Sequence, residues 1–203
     1  MSLTWYVVRA SGMVAFALLT TTIALGLVMS GRARLRRWPR FALEDVHRFA
    51  SLLTWSFIGV HALALLVDAY LPFTVFDLVI PGTAPYRPFA TALGVVGMEL
   101  LAALAVANLL RGRISHRVWR RTHYLNSVVW LLALGHGVAA GADSDTAWAL
   151  GLYVLSASLV AGLTAWRVLT TRSAGTWAVR VGSPIAALVA ADLAIMLELG
   201  VVR

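Results

Sequence analysis

The chain carries five histidines, His47, His61, His116, His123 and His136, and no cysteine. Four of them fall in two apolar stretches. His47 and His61 are 14 residues apart in the first, and His123 and His136 are 13 apart in the second. An imidazole in apolar surroundings is a hydrogen-bonded interior group, a station in a proton relay or a metal ligand. One such histidine decides nothing, but two in each of two stretches at near-equal spacing point to ligation in pairs. On a helix these separations are about 21 Å and about 19.5 Å. Within a hydrocarbon layer roughly 30 Å thick, each stretch then holds one imidazole several Å inside either face. If the two helices run parallel, His47 is level with His123 and His61 with His136. Two stacked pairs of imidazoles are what two six-coordinate b-type haems need, each iron taking one axial nitrogen from each helix. Without cysteine there is no Fe–S cluster and no thioether-linked haem.

The angular arithmetic separates the two stretches. Fourteen residues end about 40° short of four turns, so His47 and His61 share a helix face. Thirteen end about 140° short, so on a straight helix His123 and His136 do not. Either the second stretch is distorted, with Gly135 and Gly137 flanking His136 as candidates, or the two haems are rotated about the bundle axis. His116, in an arginine-rich loop, reads as solvated.

The rest of the chain says what must position these residues. Of 203 residues, 60% are apolar and only 13% charged, against about 25% charged in soluble chains. Six stretches reach the roughly 20 apolar residues a crossing helix needs: Trp5–Met29, Phe41–Ala69, Phe89–Leu110, Thr122–Ala140, Thr146–Leu169 and Pro184–Val202. Lipid satisfies no backbone polar group, so all six are expected to be helical. The expected fold is an all-α integral membrane protein, a six-transmembrane-helix bundle forming a single domain over residues 1–203. No G-x-G-x-x-G fingerprint occurs, and the residues left outside the spans leave no room for a flavin- or nicotinamide-binding domain. The first span is read as retained, since its apolar run is long and its basic cluster follows rather than precedes it.

All 17 basic residues are arginines, against 9 acids. Fourteen arginines fall in or beside the loops after spans 1, 3 and 5, while Arg9, Arg87 and Arg203 fall on the other side. The positive-inside rule places both termini outside the cytoplasm in a multi-pass protein of the cytoplasmic membrane. In so apolar a chain the basic excess is loop charge against membrane lipid, and no nucleic-acid partner is expected. Spans 2 and 4 then run parallel, as the histidine pairing requires.

Two parallel spans with histidines 14 and 13 apart are joined by further motifs. These are His47-Arg48, the approach Trp119-Arg120-Arg121-Thr122-His123, the bracketed Gly135-His136-Gly137, and Arg9-Ala10-Ser11-Gly12 in span 1. Over about residues 9–170 the chain resembles the ferric reductase-like transmembrane domain family, which includes ferric reductases, NADPH oxidases and the bacterial haem-binding subunit of methionine sulfoxide reductase. Span 6 is extra to that core. The resemblance implies transmembrane electron transfer from a cytoplasmic-side donor, a reductase or quinol, to an extracytoplasmic acceptor, namely ferric chelate, oxygen or a periplasmic protein. It implies a membrane b-haem oxidoreductase, but one without the flavin and NADPH domain that ferric reductases and NADPH oxidases carry. Other readings are a haem-bearing anchor that relays electrons to a separate periplasmic reductase, a quinol-linked b-type cytochrome and, from another class, a haem-free ion or proton channel.

Haem propionates need cations near the membrane surface. Arg48, Arg120 and Arg121 flank His47 and His123, and on the outer side, where cations are scarce, Arg9 stands out and Arg87 reads as a loop charge. Trp55 and Trp130 lie near mid-membrane between the two histidine levels. Glu99, mid-span, is expected to face the bundle interior or be protonated. Asp143 and Asp145 follow His136 in a segment of turn composition. The apolar segment 73–80 is too short to cross and is expected to lie along the interface.

Overall fold

The computed structural model describes residues 2–30 and 38–170. The expected sixth span, with Asp192 and Glu198, lies outside them, as do Arg32, Arg34, Arg36, Arg37, Arg172, Arg180 and Arg203. Among the described residues seven α-helices follow one another: α1 Leu3–Ser30, α2 Arg40–Val67, α3 Val75–Val79, α4 Pro88–Leu109, α5 His116–Tyr124, α6 Asn126–Ala140 and α7 Ala147–Thr170. A 3₁₀ turn, Leu110–Gly112, extends α4. Among the described residues there is no strand. Four of these described helices are long and apolar enough to cross a membrane: α1, α2, α7 and α4 with its extension to Gly112. They coincide within a few residues with expected spans 1, 2, 5 and 3.

Span 4 differs. Thr122–Ala140 is not one helix, because the ladder is interrupted at Leu125 between α5 and α6. The Asn126 side-chain amide donates to the His123 carbonyl at 2.8 Å, and the Leu125 amide reaches back to Thr122 at 2.9 Å instead of one turn further. A side chain that takes a ladder carbonyl bends a helix at that point. Gly135 and Gly137 are not the cause, since α6 runs unbroken through both. Gly135 instead lies against α4, where a Cβ would stand 3.3 Å from Leu93.

The described residues form two compact units, residues 2–16 with 57–142 and residues 17–30 and 38–56 with 143–170. In the first, α4 packs along α6. Gly97 supplies the close approach, as its missing Cβ would lie 3.4 Å from that of Leu132, and small residues at helix contacts are how apolar helices associate without a solvent drive. On α4 the buried positions include Gly97, Leu101 and Leu104. Glu99, two residues and thus about 200° away from Gly97, is exposed, so of the two alternatives expected for it, facing the interior is not the one found. The start of α1 meets the end of α2 through Trp5, Val8 and Ala64. Trp5 also meets the rings of Tyr70 and Tyr86, each at 6.2 Å between centroids.

A polar clasp closes this end of the unit. The Ser2 side chain caps α1 by accepting from the Trp5 amide at 3.1 Å, and its hydroxyl donates to Asp68 Oδ1 at 2.6 Å. The Thr4 hydroxyl donates to the same oxygen, and the Leu71 amide to Asp68 Oδ2 at 3.1 Å. These donors, Ser2 first and Thr4 second, hold the buried carboxyl below the usual carboxylate range. Segment 73–80 forms the short helix α3, tied by Asp77 to the Thr74 amide at 2.8 Å. It leaves Val75, Phe76 and Val79 exposed, which suits an interfacial segment.

In the second unit the buried face of α7 repeats at helical spacing through Ala149, Tyr153, Ser156, Ala157, Val160 and Thr164. The Asp143 carbonyl accepts from the Thr146 amide at 2.9 Å and from its hydroxyl at 2.6 Å. This is the turn expected around Asp143 and Asp145. At the far end of α7, the Arg167 guanidinium donates to the Ser30 hydroxyl at the end of α1.

Candidate functional site

His61 sits on α2 and His136 on α6, and the first unit brings their rings together. The centroids are 6.3 Å apart and the planes cross at 80°. Each ring is anchored through Nδ1. His61 Nδ1 lies 2.8 Å from the Val8 carbonyl of α1, and His136 Nδ1 lies 2.9 Å from the Ala90 carbonyl of α4. A carbonyl only accepts, so Nδ1 carries the proton in both rings and Nε2 is left as a bare lone pair. That is the tautomer a metal-ligating histidine needs, fixed in the way such ligands are fixed elsewhere.

The spacing can be tested against the group that the fold suggests. A metal–imidazole bond is about 2.0 Å, and a five-membered ring of conjugated bonds near 1.33 Å places its centre about 1.1 Å beyond the nitrogen. Two opposed ligands on one metal therefore stand about 6.3 Å apart between ring centres, which is the separation found. Among the described residues no group of three or more His, Asp or Glu side chains is placed to hold a metal ion. Two axial imidazoles complete six-coordination only where a macrocycle supplies the other four donors. In spacing and tautomer these two imidazoles would suit a haem held between them.

The backbone makes room for this. Val8 and Ala90 are each followed four residues later by a glycine, Gly12 and Gly94. A methyl group at Gly12 would stand 3.0 Å from His61 Nδ1, and one at Gly94 only 2.8 Å from His136 Nδ1. Gly12 belongs to the Arg9–Gly12 motif noted in the sequence. Gly94 carries no signal there, because nothing in the sequence says which carbonyl an imidazole will use.

His47, in the second unit, repeats the arrangement with more slack. Its Nδ1 lies 3.1 Å from the Thr22 carbonyl of α1, again with a glycine four residues on, and a Cβ at Gly26 would stand 3.6 Å from the ring. His123 differs in kind. It lies in the first unit on α5, beyond the break at Leu125, and is exposed. Its ring stacks on Trp119 with centroids 5.2 Å apart and planes 21° apart. Trp119 is itself held by Asn108, to which its Nε1 donates at 3.3 Å. The Arg111 guanidinium lies 4.4 Å above its ring. His116 is exposed, as expected of a solvated residue, but it opens α5 rather than lying in a loop, with its ring 5.6 Å from that of Trp119 and tilted by 41°. His47 and His123 belong to different units.

Of the arginines, Arg9 is half-buried on α1, adjacent in sequence to Val8, with its guanidinium 5.7 Å from the Tyr6 ring centre. Arg48, Arg120 and Arg121 are exposed. Arg87 is more than a loop charge. It holds a left-handed backbone, φ 42°, at the N-cap of α4, and donates from Nη1 to the Ala139 carbonyl at 2.6 Å. A cation on the last carbonyls of a helix is favourable, and this one joins the start of α4 to the end of α6, the two helices that hold His136. Trp130 is fully buried and stacks on Phe16 with centroids 6.3 Å apart, whereas Trp55 is half-buried. No curated protein and no solved structure matches the chain significantly. The profile of the family described as "Ferric reductase like transmembrane component" matches residues 11–134. That stretch includes Gly12, Gly94, His47, His61 and His123 and stops two residues before His136. With more than half of its 203 residues matched, the chain belongs to the ferric reductase-like transmembrane family.

Proposed function

We propose that this protein is a membrane electron carrier that holds two b-type haems, His61 with His136 and His47 with His123, and moves electrons from a cytoplasmic-side donor to an extracytoplasmic acceptor. One observation carries the reading: two facing imidazoles at 6.3 Å, each with Nδ1 committed to a backbone carbonyl. A bis-imidazole haem supplies one-electron redox chemistry with no open position at iron, which suits transfer rather than oxygen binding.

The chain's own residues do the rest. Val8 and Ala90 hold the protons of the two Nδ1 atoms and so keep both Nε2 lone pairs available. Removal of an outer-shell partner of this kind typically costs 10- to 100-fold in affinity for the metal. Arg9 supplies a cation beside the His61 anchor for an outer propionate. Arg48, Arg120 and Arg121 supply cations at the cytoplasmic side. The broken α5–α6 pair serves as the fourth crossing and Pro184–Val202 as the sixth. The arginine asymmetry places both termini outside the cytoplasm, so α2 and α6 run parallel. The donor is a reductase or quinol, and the acceptor is ferric chelate, oxygen or a periplasmic protein.

The test is electron transfer across a bilayer. Purified protein in sealed vesicles loaded with a ferric chelate, given an impermeant reductant outside, is expected to reduce the chelate and to show a b-type reduced-minus-oxidised spectrum. Protein that folds and inserts but binds no haem contradicts the reading. Ion flux through the same haem-free protein would favour a channel.

A further inference from the structure

The glycines of α1 and α4 do more than leave space. In an α-helix the residue four places beyond a carbonyl donates its amide to that carbonyl, so its Cα sits directly beside it. An imidazole can reach the carbonyl from the flank only if that residue has no side chain. Gly12 and Gly94 occupy this place beside the Val8 and Ala90 carbonyls. At Gly12 an added Cβ would meet His61 Nδ1 at 3.0 Å and Cε1 at 3.1 Å. At Gly94 it would meet His136 Nδ1, Cε1 and Cγ at 2.8, 2.9 and 3.0 Å. Each ring is therefore held by its Nδ1 hydrogen bond in a space that exists only because the flanking residue has no Cβ, and a methyl group there would force the ring to shift or turn. The two planes so held stand 80° apart.

We propose that Gly12 and Gly94 are positioning residues that lock the His61 and His136 rings near-perpendicular, and so set the electronic character of the iron these rings would ligate. The inference rests on the haem reading above. Perpendicular axial imidazoles leave the iron d orbitals of ferric haem nearly degenerate, which gives a low-spin electron paramagnetic resonance spectrum dominated by one large-g feature. Parallel imidazoles split those orbitals and give three well-separated lines. Gly59, also on a helix, is the control, because a Cβ there meets nothing within 4 Å.

The experiment is paramagnetic resonance of the ferric, haem-loaded protein in a His47→Ala background, which leaves the His61/His136 site alone. The large-g feature is expected there. It is expected to move toward the three-line form in Gly94→Ala and to a lesser degree in Gly12→Ala, with Gly59→Ala unchanged. An unmoved spectrum in both Gly94→Ala and Gly12→Ala overturns the proposal. Should neither variant fold, the parent spectrum decides, since three separated lines would mean the rings are not perpendicular. Absence of haem from the wild-type protein is a different failure, that of the reading beneath it.

Discussion

His136 and His123 lie on the same stretch of chain, 13 residues apart, and the structure holds them by opposite means. His136 is half-buried, bonded through Nδ1 to the Ala90 carbonyl and flanked by Gly94 with no tolerance for a methyl group. His123 is exposed, set apart by the Leu125 break, and laid against the indole of Trp119. A backbone carbonyl selects the tautomer of a ring, whereas an aromatic stack constrains its plane without selecting a tautomer. His47 follows the first pattern with a longer bond and a looser glycine. The comparison teaches that three ligand candidates are set by their neighbouring helix and one by a side-chain stack of its own segment. Changes at α5 should therefore act on one site only.

The largest expected effect is on occupancy. His61→Ala or His136→Ala should cut haem from two per chain to about one, measured as haem per protein, because each iron loses an axial ligand. Loss of both haems from either variant would mean the two sites are not separable. Next is Asn126→Leu, which removes the amide from the His123 carbonyl and lets α5 continue into α6. It is expected to weaken haem at the His47/His123 site by on the order of 10-fold, with the His61/His136 signal unchanged. Trp119→Ala should act on the same site by about 1 kcal/mol, the usual worth of an aromatic pair, read as a shift in one of two midpoint potentials. A shift in both would erase the contrast.

Smaller effects belong to the supports. Arg87→Gln loses the charged bond to the Ala139 carbonyl. Discounted for its exposure, that bond is worth about 1 kcal/mol, so the melting temperature should fall by about 3 °C. The Asp68 clasp has a pH signature. Its carboxyl is depressed by the Ser2 and Thr4 hydroxyls, so its contribution is fully present above the ordinary carboxylate range and is lost as pH falls through the depressed value. Thermal melts in acid are expected to show this loss in the wild type, and a shallower pH dependence in Asp68→Asn.

Much of this architecture is legible in the amino-acid sequence. The apolar runs mark α1, α2, α4 and α7 within a few residues, because lipid leaves no alternative to helix. The histidine spacing pairs His61 with His136, because depth in a membrane follows from residue count. The 13-residue spacing also requires that the second stretch be distorted or its haems rotated. It does not locate the interruption, which falls at Leu125 beside the Asn126 side chain, and Gly135 lies against α4 instead. Glu99 escapes the reading because hydropathy registers that a span holds a charge but not which side of α4 it occupies. Gly94 and Arg87 are silent for a shared reason. Each acts on a backbone carbonyl of another segment, and carbonyls look alike at every position in a sequence.

The most direct measurement is an experimental density map of the haem-loaded protein, solved at a wavelength or resolution that locates iron. An iron atom between His61 and His136, about 2.0 Å from each Nε2, with Nδ1 of both rings still on Val8 and Ala90, is the result expected. Side chains filling that space, or iron held by other residues, would contradict it.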